Sequence, residues 1–292
     1  MNQLLQTLIS GLSLGSIYAL IALGYTMVYG IAKMLNFAHG DIIMVGAYSC
    51  IWLTRSFGVP PIIGALFSII ICSLLGITIE LLAYRPLRNA PPLAVLITAI
   101  GVSYLLQNLA LLFFGSEQLG YPNVINFPNL QIGEILVDGK SIMTLLVTSV
   151  VMTVLHFFVN KTKIGTAMRA VSEDREAAQL MGIDVNKTIT ITFAIGSALA
   201  AVASIFYGSV YMFIRPTTGS MPGIKAFTAA VFGGIGSIPG AMLGGLLLGI
   251  IEQMSKAYIS TTLADAIVFT VLILVLIIRP AGLLGKKRRE KV

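Results

Sequence analysis

Long runs of uncharged, mainly apolar residues alternate with short polar segments along this chain. Nothing from Met1 to Tyr29 is charged, and the run from Leu4 to Gly24 has about the twenty residues that a helix needs to cross a bilayer. The runs that we interpret as membrane segments cover residues 4–24, 42–53, 61–84, 92–114, 141–160, 188–214, 226–251 and 259–278. The pattern predicts an all-α, polytopic membrane helix bundle with about seven or eight membrane segments, forming a single transmembrane domain over residues 1–292.

Small residues recur at one-turn spacing in the first predicted helix. Gly11, Gly15 and Ala19 fall on one face, because residues four apart are neighbours on a helix. Such a stripe allows the backbone of a second helix to approach closely in lipid. We therefore predict a tight helix contact along this face.

The run 226–251 is uncharged but contains seven glycines and Pro239. Its centre, Gly233 to Gly240, is hard to hold as continuous helix because glycine and proline are poor helix formers. Broken backbone at membrane depth is tolerated only where protein or water satisfies it. We predict a discontinuous or re-entrant segment that dips into the membrane and returns, with 233–240 as the turn. Two short crossings are the alternative.

Composition supports a membrane protein and the distribution of charge suggests its orientation. The chain is 57% hydrophobic and 11% charged, whereas a soluble domain carries about 25% charged residues. Its net charge of +7 does not indicate nucleic-acid binding, because the basic residues are scattered through loops and a C-terminal tail. If successive segments cross the membrane in alternating directions, 14 of the 19 lysine and arginine residues lie on one side. Cytoplasmic loops are enriched in these residues, so the count predicts a cytoplasmic C-terminus and an extracytoplasmic N-terminus.

The most charged internal stretch, residues 161–187, holds nine of the chain's acidic and basic residues between two long apolar runs. Ser172 is a good N-cap residue, and Glu173, Asp174 and Glu176 would lie in a first helical turn, where negative charge is favourable. Gly182 is placed to end this helix. A helix of about ten residues is not stable alone in water, so we predict that it docks on a cytosolic protein.

Two groups of residues are candidates for a translocation path. Ionisable residues within a membrane segment are functional candidates, and Asn36, His39 and Asp41 precede or begin the second apolar run. The alternative is that they cap the second helix at the cytosolic surface. The glycine-rich break could form a gate or a packing turn, and its candidates are Gly233, Gly234, Gly236, Ser237 and Pro239.

Other charged residues suggest pairs. Glu80 is near Arg85 and Arg88, Glu252 and Lys256 are spaced four apart, and Asp265 is a candidate contact with a neighbouring subunit. The two histidines, His39 and His156, are far apart in sequence, and no arrangement indicates a metal site or catalysis.

The sequence resembles a family of transport proteins in several segments. Glu176, Ala177, Ala178 and Gly182 resemble the core of the EAA loop of bacterial ATP-binding-cassette (ABC) importer permeases. The segments 35–41, 169–182, 225–241 and 272–285 resemble LivH-type permeases of branched-chain amino acid ABC importers. The resemblance covers nearly the whole chain.

This resemblance implies a subunit of a bacterial inner-membrane importer, not an enzyme. The expected partners are a homologous LivM-type permease, two cytosolic ATPase subunits and an extracytoplasmic binding protein, with an amino acid as substrate, membrane lipid as surroundings and no nucleic acid. ATP would be bound by the partner subunits, and no cofactor is expected in this chain. The residues that the EAA loop would place at the ATPase contact are Ser172, Glu173, Asp174, Arg175, Glu176, Ala177, Ala178, Met181 and Gly182.

Two questions stay open on the sequence alone. Related permeases carry urea or short amides, so the substrate could differ from leucine, isoleucine and valine. A secondary transporter or facilitator that works without an ATPase is the alternative function, and it predicts charged residues at the middle of the bilayer.

Overall fold

A computed structural model describes residues 2–132 and 135–285, so the basic tail predicted from Lys286 onward lies outside the described residues. The described chain is mainly helical, with four short strands. The helices are α1 (Asn2–Ala32), α2 (His39–Phe57), α3 (Pro61–Ile79), α4 (Pro92–Phe114), α5 (Gly139–Lys161), α6 (Lys163–Glu173), α7 (Arg175–Leu180), α8 (Val185–Tyr211), α9 (Ser220–Gly233), α10 (Ile238–Tyr258) and α11 (Ala264–Ile278). A π-helical turn, Glu80–Tyr84, and a 3₁₀ turn, Arg85–Leu87, extend α3.

Six helical segments of the described chain are long and apolar enough to cross a membrane: α1, α3 with its extension to Leu87, α4, α5, α8 and α10. The helix α11 is apolar but shorter, with 15 residues. The strands lie outside these segments. Strand β1 (Leu119–Gly120) pairs antiparallel with β4 (Phe213–Ile214), and β2 (Leu130–Ile132) pairs with β3 (Ile135–Val137).

The central helix of the bundle is α1, and its predicted small-residue stripe forms the predicted close contact. It packs antiparallel to α10, because Gly11 lies against Ile250 and Gly15 lies against Leu246. A Cβ atom added to Gly15 would lie 2.7 Å from the carbonyl oxygen of Leu246, which leaves no room for a side chain. Ala19 faces Gly245 of α10 in the same way. Glycine on both helices therefore lets the two backbones touch.

Two helices begin inside the bundle. After α1 the backbone turns at Lys33, which has a φ of +53°, and α2 begins only at His39, whose ring lies against Gly24 of α1. The helix α9 begins at Ser220, where Gly219 and Gly223 lie against Gly40 of α2. The N-termini of α2 and α9 thus meet in the interior, and glycine again permits the approach.

The helix breaks within the predicted glycine-rich range. The helix α9 ends at Gly233 and α10 begins at Ile238, running antiparallel to it, and Ser237 caps α10 by accepting a hydrogen bond from Gly240 N at 3.2 Å. Gly234 has a φ of +107°, which an L-amino acid with a side chain rarely adopts. The C-terminal segment covers this turn, with Leu284 N donating to Gly233 O at 2.9 Å.

We expect the α1–α10 contact to tolerate no added side chain. Gly15→Ala should lower the free energy of unfolding by about 1–3 kcal/mol, because overpacking forces the helices apart. The measurement is an SDS titration of the protein in mixed micelles. Gly101→Ala in α4 is the matched control, since the space around Gly101 is open, and alanine there should stabilise the helix by up to about 1 kcal/mol. Equal effects of the two changes would contradict the close contact.

Candidate functional site

A cavity of about 360 Å³ lies where the two interior helix starts meet α4. It is lined by Tyr25, Phe37, Asp41, Leu96, Ile100, Ser103, Tyr104, Gln107, Ser220 and Ile224. Asp41, in the first turn of α2, is 1% exposed. Its carboxylate accepts hydrogen bonds from the Ser103 hydroxyl and, at 2.9 Å, from Gln107 Nε2. A buried carboxylate therefore lines a partly open cavity between four parts of the chain.

Ser220 of α9 belongs to the same polar cluster. Gln107 Nε2 lies 3.2 Å from the Ser220 hydroxyl and 3.3 Å from the Ser103 hydroxyl, so residues of α2, α4 and α9 form one polar patch. Sequence reasoning missed Ser103, Gln107 and Ser220. The available signal was the spacing of Ser103 and Gln107, which are one helical turn apart in an otherwise apolar helix.

The structure separates the three polar candidates of the second apolar run. Asp41 lines the cavity, whereas Asn36 Oδ1 accepts a hydrogen bond from the Tyr84 hydroxyl at 2.9 Å. His39 is buried, with its ring edge-on to Tyr25 at 4.6 Å between centroids. The N-cap of α2 is Ala38, whose methyl group cannot accept a hydrogen bond. The alternative that these residues cap α2 at the surface is therefore wrong, because the helix begins inside the bundle.

The glycine-rich turn lies away from the cavity. It is at the opposite end of α9 from Ser220, and Gly236 is close to Gly30 of α1. A smaller cavity of about 80 Å³ is lined by Gly236 and Ile238 on one side and by Arg169 and Ser172 of α6 on the other. The turn formed by Gly233, Gly234, Gly236, Ser237 and Pro239 therefore lies next to the charged central stretch.

That central stretch forms two short helices where one was predicted. Ser172 is not the N-cap: it lies within α6, and its hydroxyl donates to Arg169 O at 2.7 Å. The backbone is extended at Asp174, with a φ of −152°, and the Asp174 side chain caps α7 by accepting from Ala177 N at 3.0 Å. The Ser172 hydroxyl bonds back to its own helix, and the chain leaves that helix only at Asp174, whose side chain is then placed to cap the free amides of α7.

The predicted end of this helix is confirmed. Gly182 has a φ of +81°, and Gly182 N donates to Gln179 O at 3.0 Å. Ile183 N donates to Ala178 O, also at 3.0 Å. This pair of bonds is the Schellman motif, which satisfies the last carbonyl groups of a helix and favours glycine at the left-handed position.

The helix α7 exposes apolar side chains. Leu180 is 88% exposed and Met181 is 83% exposed, whereas Ala178 is buried against the bundle. The acidic residues Glu173, Asp174 and Glu176 are also exposed. We call the exposed set of Glu173, Asp174, Glu176, Ala177, Leu180, Met181 and Gly182 the α7 surface. A polar groove of about 770 Å³ lies beside it, lined in part by Arg85, Arg88 and Gln179.

Arg175 points inward, unlike its neighbours. Its guanidinium donates a hydrogen bond to the carbonyl oxygen of Ala32, the last residue of α1. Burial lowers the pKa of Arg175 below its ordinary value, and the positive charge of Arg88 lowers it further. An arginine remains charged at neutral pH after such a shift. Arg175 therefore attaches α7 to the end of α1.

A second attachment joins the end of α3 to the start of α8. Glu80 pairs with Arg88, as predicted, and it also accepts a hydrogen bond from the Thr190 hydroxyl at 2.7 Å. Arg88 in turn donates to the side chain of Asn186. The π-helical turn that begins at Glu80 is thus tied to the helix that follows α7.

Lys225 is the centre of a partly buried ion-pair network that sequence reasoning did not assign. Its ammonium lies 2.8 Å from Glu252 Oε1 and 2.6 Å from Asp265 Oδ1. Asp265, expected to contact a neighbouring subunit, is therefore paired within the chain because α9, α10 and α11 pack against one another. The predicted pair of Glu252 and Lys256 is confirmed at 2.6 Å, and Tyr18 donates to Glu252 Oε2 at 2.8 Å.

Removing the central cation of this network should destabilise the bundle. Lys225→Met should cost about 3 kcal/mol, because it deprives the buried Glu252 carboxylate of the more deeply buried of its two cations. Lys256→Met is the control and should cost less than about 1 kcal/mol, since that side chain is 30% exposed. Unfolding by SDS titration measures both, and the double variant Lys225→Met/Glu252→Gln should recover stability. Equal losses from the two lysine variants would show that Lys225 is not central.

Comparison with known proteins identifies the family. A family model described as branched-chain amino acid transport system / permease component matches residues 7–276. The high-affinity branched-chain amino acid transport system permease protein LivH of Salmonella typhimurium is 45% identical, covering 99% of this chain and 97% of its own. The corresponding permease protein BraD of Pseudomonas aeruginosa is 46% identical over 99% of this chain and 98% of its own.

A more distant relative comes from an archaeon. The probable branched-chain amino acid transport permease protein LivH of Methanocaldococcus jannaschii is 29% identical over 92% of this chain and 89% of its own. Together with the six apolar helices, these matches make the chain a multi-pass membrane protein. By its family match and its close relatives, the chain belongs to the permease components of branched-chain amino acid transport systems.

Proposed function

We propose that this chain is a membrane-spanning permease subunit of an ABC importer and that it translocates leucine, isoleucine and valine, or related small amino acids and amides. One observation carries the proposal: the chain is similar over nearly its whole length to permeases of branched-chain amino acid transport systems. Because these relatives are transport permeases, the chain moves a solute and is not an enzyme.

The importer that we infer contains several other subunits. They are a homologous LivM-type permease, two cytosolic ATPases that bind and hydrolyse ATP, and an extracytoplasmic binding protein that delivers the substrate. Membership of a transport-system permease family supports partners of this kind. The chain would contribute one transmembrane domain over residues 1–292. The packing of α1 against α5, α8, α9 and α10 supports a single domain.

The α7 surface is the proposed contact with an ATPase. Leu180 and Met181 are almost fully exposed at the end of a helix that carries acidic residues at its start, a surface suited to a protein partner and not to lipid. The polar groove beside α7 offers additional area for such a partner. Residues of the predicted contact that face inward, Arg175 and Ala178, would instead hold α7 on the bundle.

The inward contacts give this surface a mechanical connection to the membrane helices. Arg175 ties α7 to the last carbonyl group of α1, and the chain continues from there through residues 33–38 to Asp41. In α6, Arg169 and Ser172 lie beside the glycine turn between α9 and α10. A movement of α6 and α7 driven by the ATPase would therefore act on the starts of α2 and α10. We infer alternating access, in which this movement opens a cavity between the two permeases inward.

We infer that the end of the bundle with α6 and α7 is cytoplasmic, with an extracytoplasmic N-terminus and a cytoplasmic C-terminus. Lys33, Arg85, Arg88 and Arg175 lie at this end, and cytoplasmic loops are enriched in Lys and Arg. The last described residues, 279–285, pack on the glycine turn at the same end.

The glycine turn then lies at the cytoplasmic end, which favours two crossings of unequal length over a shallow dip. The 14 residues of α9 span about 21 Å, less than the ~30 Å hydrocarbon core, whereas α10 is long enough to cross. Residues 212–219, which contain the short strand β4 followed by turns, would complete the outer half of the first crossing. The crossing that contains α9 and the crossing formed by α10 together return the chain to the side of the membrane from which it entered.

A secondary transporter is the alternative function, and one observation favours it: Asp41, Lys225 and Glu252 are buried in the bundle. Such a transporter would need no ATPase. We favour the importer because the family match describes a component of a transport system and because α7 exposes a surface for a partner.

The dependence on ATPase subunits separates these functions. Proteoliposomes that contain the two permeases and the two ATPases should accumulate leucine only under two conditions. ATP must be present on the side of the membrane that the ATPases face, and the binding protein must be present on the opposite side. Omitting the ATPases should abolish accumulation. Leucine uptake that persists without them and follows an imposed ion gradient would support the secondary transporter.

Changes on the α7 surface should uncouple transport without preventing membrane insertion. We expect Glu176→Lys, Gly182→Val and the pair Leu180→Ser/Met181→Ser to lower uptake by at least about tenfold, since loss of an interface anchor costs more than 1 kcal/mol. Co-purification of the ATPase measures the contact, and labelling of Met181→Cys from each side of the membrane measures its location.

The matched control is Ile164→Ser, which removes a partly exposed apolar side chain from α6 outside the α7 surface. It should leave uptake within about twofold of the parent, as surface substitutions usually do. Normal uptake in the α7 variants, or labelling of position 181 only from the extracytoplasmic side, would refute the proposed coupling.

A further inference from the structure

We propose that the cavity around Asp41 is a binding site for a zwitterionic amino acid within the permease itself. In this site the Asp41 carboxylate binds the substrate ammonium group, the start of α9 faces the substrate carboxylate, and the apolar wall contacts the aliphatic side chain. This inference rests on the proposed function, because it specifies how the transported substrate is held during passage.

The charge of Asp41 is not compensated by a cation of the described chain. Its two named partners, Ser103 and Gln107, are neutral donors, and the ion pairs found among the described residues involve Glu80, Glu252 and Asp265 instead. A buried carboxylate is costly unless a charge or several hydrogen bonds compensate it. A carboxylate accepts about four hydrogen bonds, so an ammonium group can bind without displacing either partner.

The start of α9 provides the complementary charge. Helix N-termini carry partial positive charge and favour negative groups, and discontinuous helices use this in transport sites. The first turn of α2 already contains Asp41, whereas the first turn of α9 contains no acidic residue and its N-cap is Gly219. The negative group that α9 favours can therefore come from the substrate carboxylate, next to Ser220.

The rest of the wall fits a branched aliphatic side chain. Phe37, Leu96, Ile100 and Ile224 supply apolar side chains to the lining of the cavity. The volume of about 360 Å³ is at the lower end of the range of roughly 300–1,000 Å³ for small-molecule sites. One polar patch and one apolar wall in a small cavity match an amino acid that is charged at one end and apolar at the other.

A labelling experiment tests the site in the assembled importer without its binding protein. A single cysteine replaces Leu96 in a Cys50→Ala/Cys72→Ala background, and the rate of its modification by a methanethiosulfonate reagent is measured. Leucine at twice its dissociation constant should slow modification about threefold, since protection scales as one plus the ratio of ligand concentration to that constant. The probe 4-methylpentanoate has the same skeleton and carboxylate without the ammonium group and should protect far less.

Variants in the same background assign the two ends of the site. Asp41→Asn should raise the leucine concentration needed for half-maximal protection at least about tenfold, because charge-assisted hydrogen bonds are roughly twice as strong as neutral ones. Glu117→Gln removes an exposed carboxylate from a loop and is the matched control. Ile224→Phe should weaken protection by leucine more than protection by alanine, which tests the apolar wall even if Asp41→Asn does not assemble.

Several outcomes would overturn the proposal. They are equal protection by leucine and 4-methylpentanoate, no protection by either, or an unchanged ratio of leucine to alanine protection in Ile224→Phe. Uptake by the parent importer separates this from the proposed function. If the parent accumulates leucine with ATP but labelling does not respond, only the site is wrong. If the parent accumulates neither branched-chain amino acids nor related small amino acids and amides with ATP, the proposed function is wrong.

Discussion

Direct backbone contact through glycine is the interaction on which the rest of this bundle depends. Gly15 lets α1 touch α10, Gly40 and Gly219 let the starts of α2 and α9 meet, and Gly233 lets α9 turn onto α10. In lipid there is little hydrophobic force between helices, so association depends on close packing and hydrogen bonds. The glycines therefore decide which helices become neighbours, and the polar groups meet as a consequence.

The buried charges fall into two kinds once these neighbours are fixed. Lys225, Glu252, Lys256 and Asp265 compensate one another within α9, α10 and α11, with two positive and two negative groups. Such a cluster holds three helices in register without requiring a ligand. Asp41 differs, because its partners are neutral and it faces a cavity. This contrast separates a group that stabilises the bundle from one suited to binding.

The attachments at the α6–α7 end of the bundle connect these interior features with the α7 surface, where we propose that force is applied. Arg175 binds the end of α1, Arg88 joins the π-helical turn after α3 to the start of α8, and α6 lies beside the glycine turn. The extended residue Asp174 separates α6 from α7, so the two short helices meet at an angle set by one residue. A partner that moves α7 would thus pull on the ends of several membrane helices together.

The sequence by itself determined whatever depends on composition or on residues close along the chain. The membrane class, the apolar segments, the break near Gly233, the C-terminal cap at Gly182 and the pair of Glu252 with Lys256 all follow from local patterns. One local prediction was wrong because of a competing hydrogen bond: Ser172 was expected to cap the helix of the charged central stretch, but its hydroxyl bonds within α6 and Asp174 caps α7 instead.

Only the tertiary structure decided the contacts between distant segments. Asp41 meets Gln107, Lys225 meets Asp265 and Arg175 meets Ala32 across separations of 40 to 143 residues. The periodicity of an apolar helix predicts that it crosses the membrane, but its near-uniform hydrophobicity does not show which face meets which neighbour. That choice is made by the packing of the whole bundle, where small residues allow approach and buried polar groups must find partners.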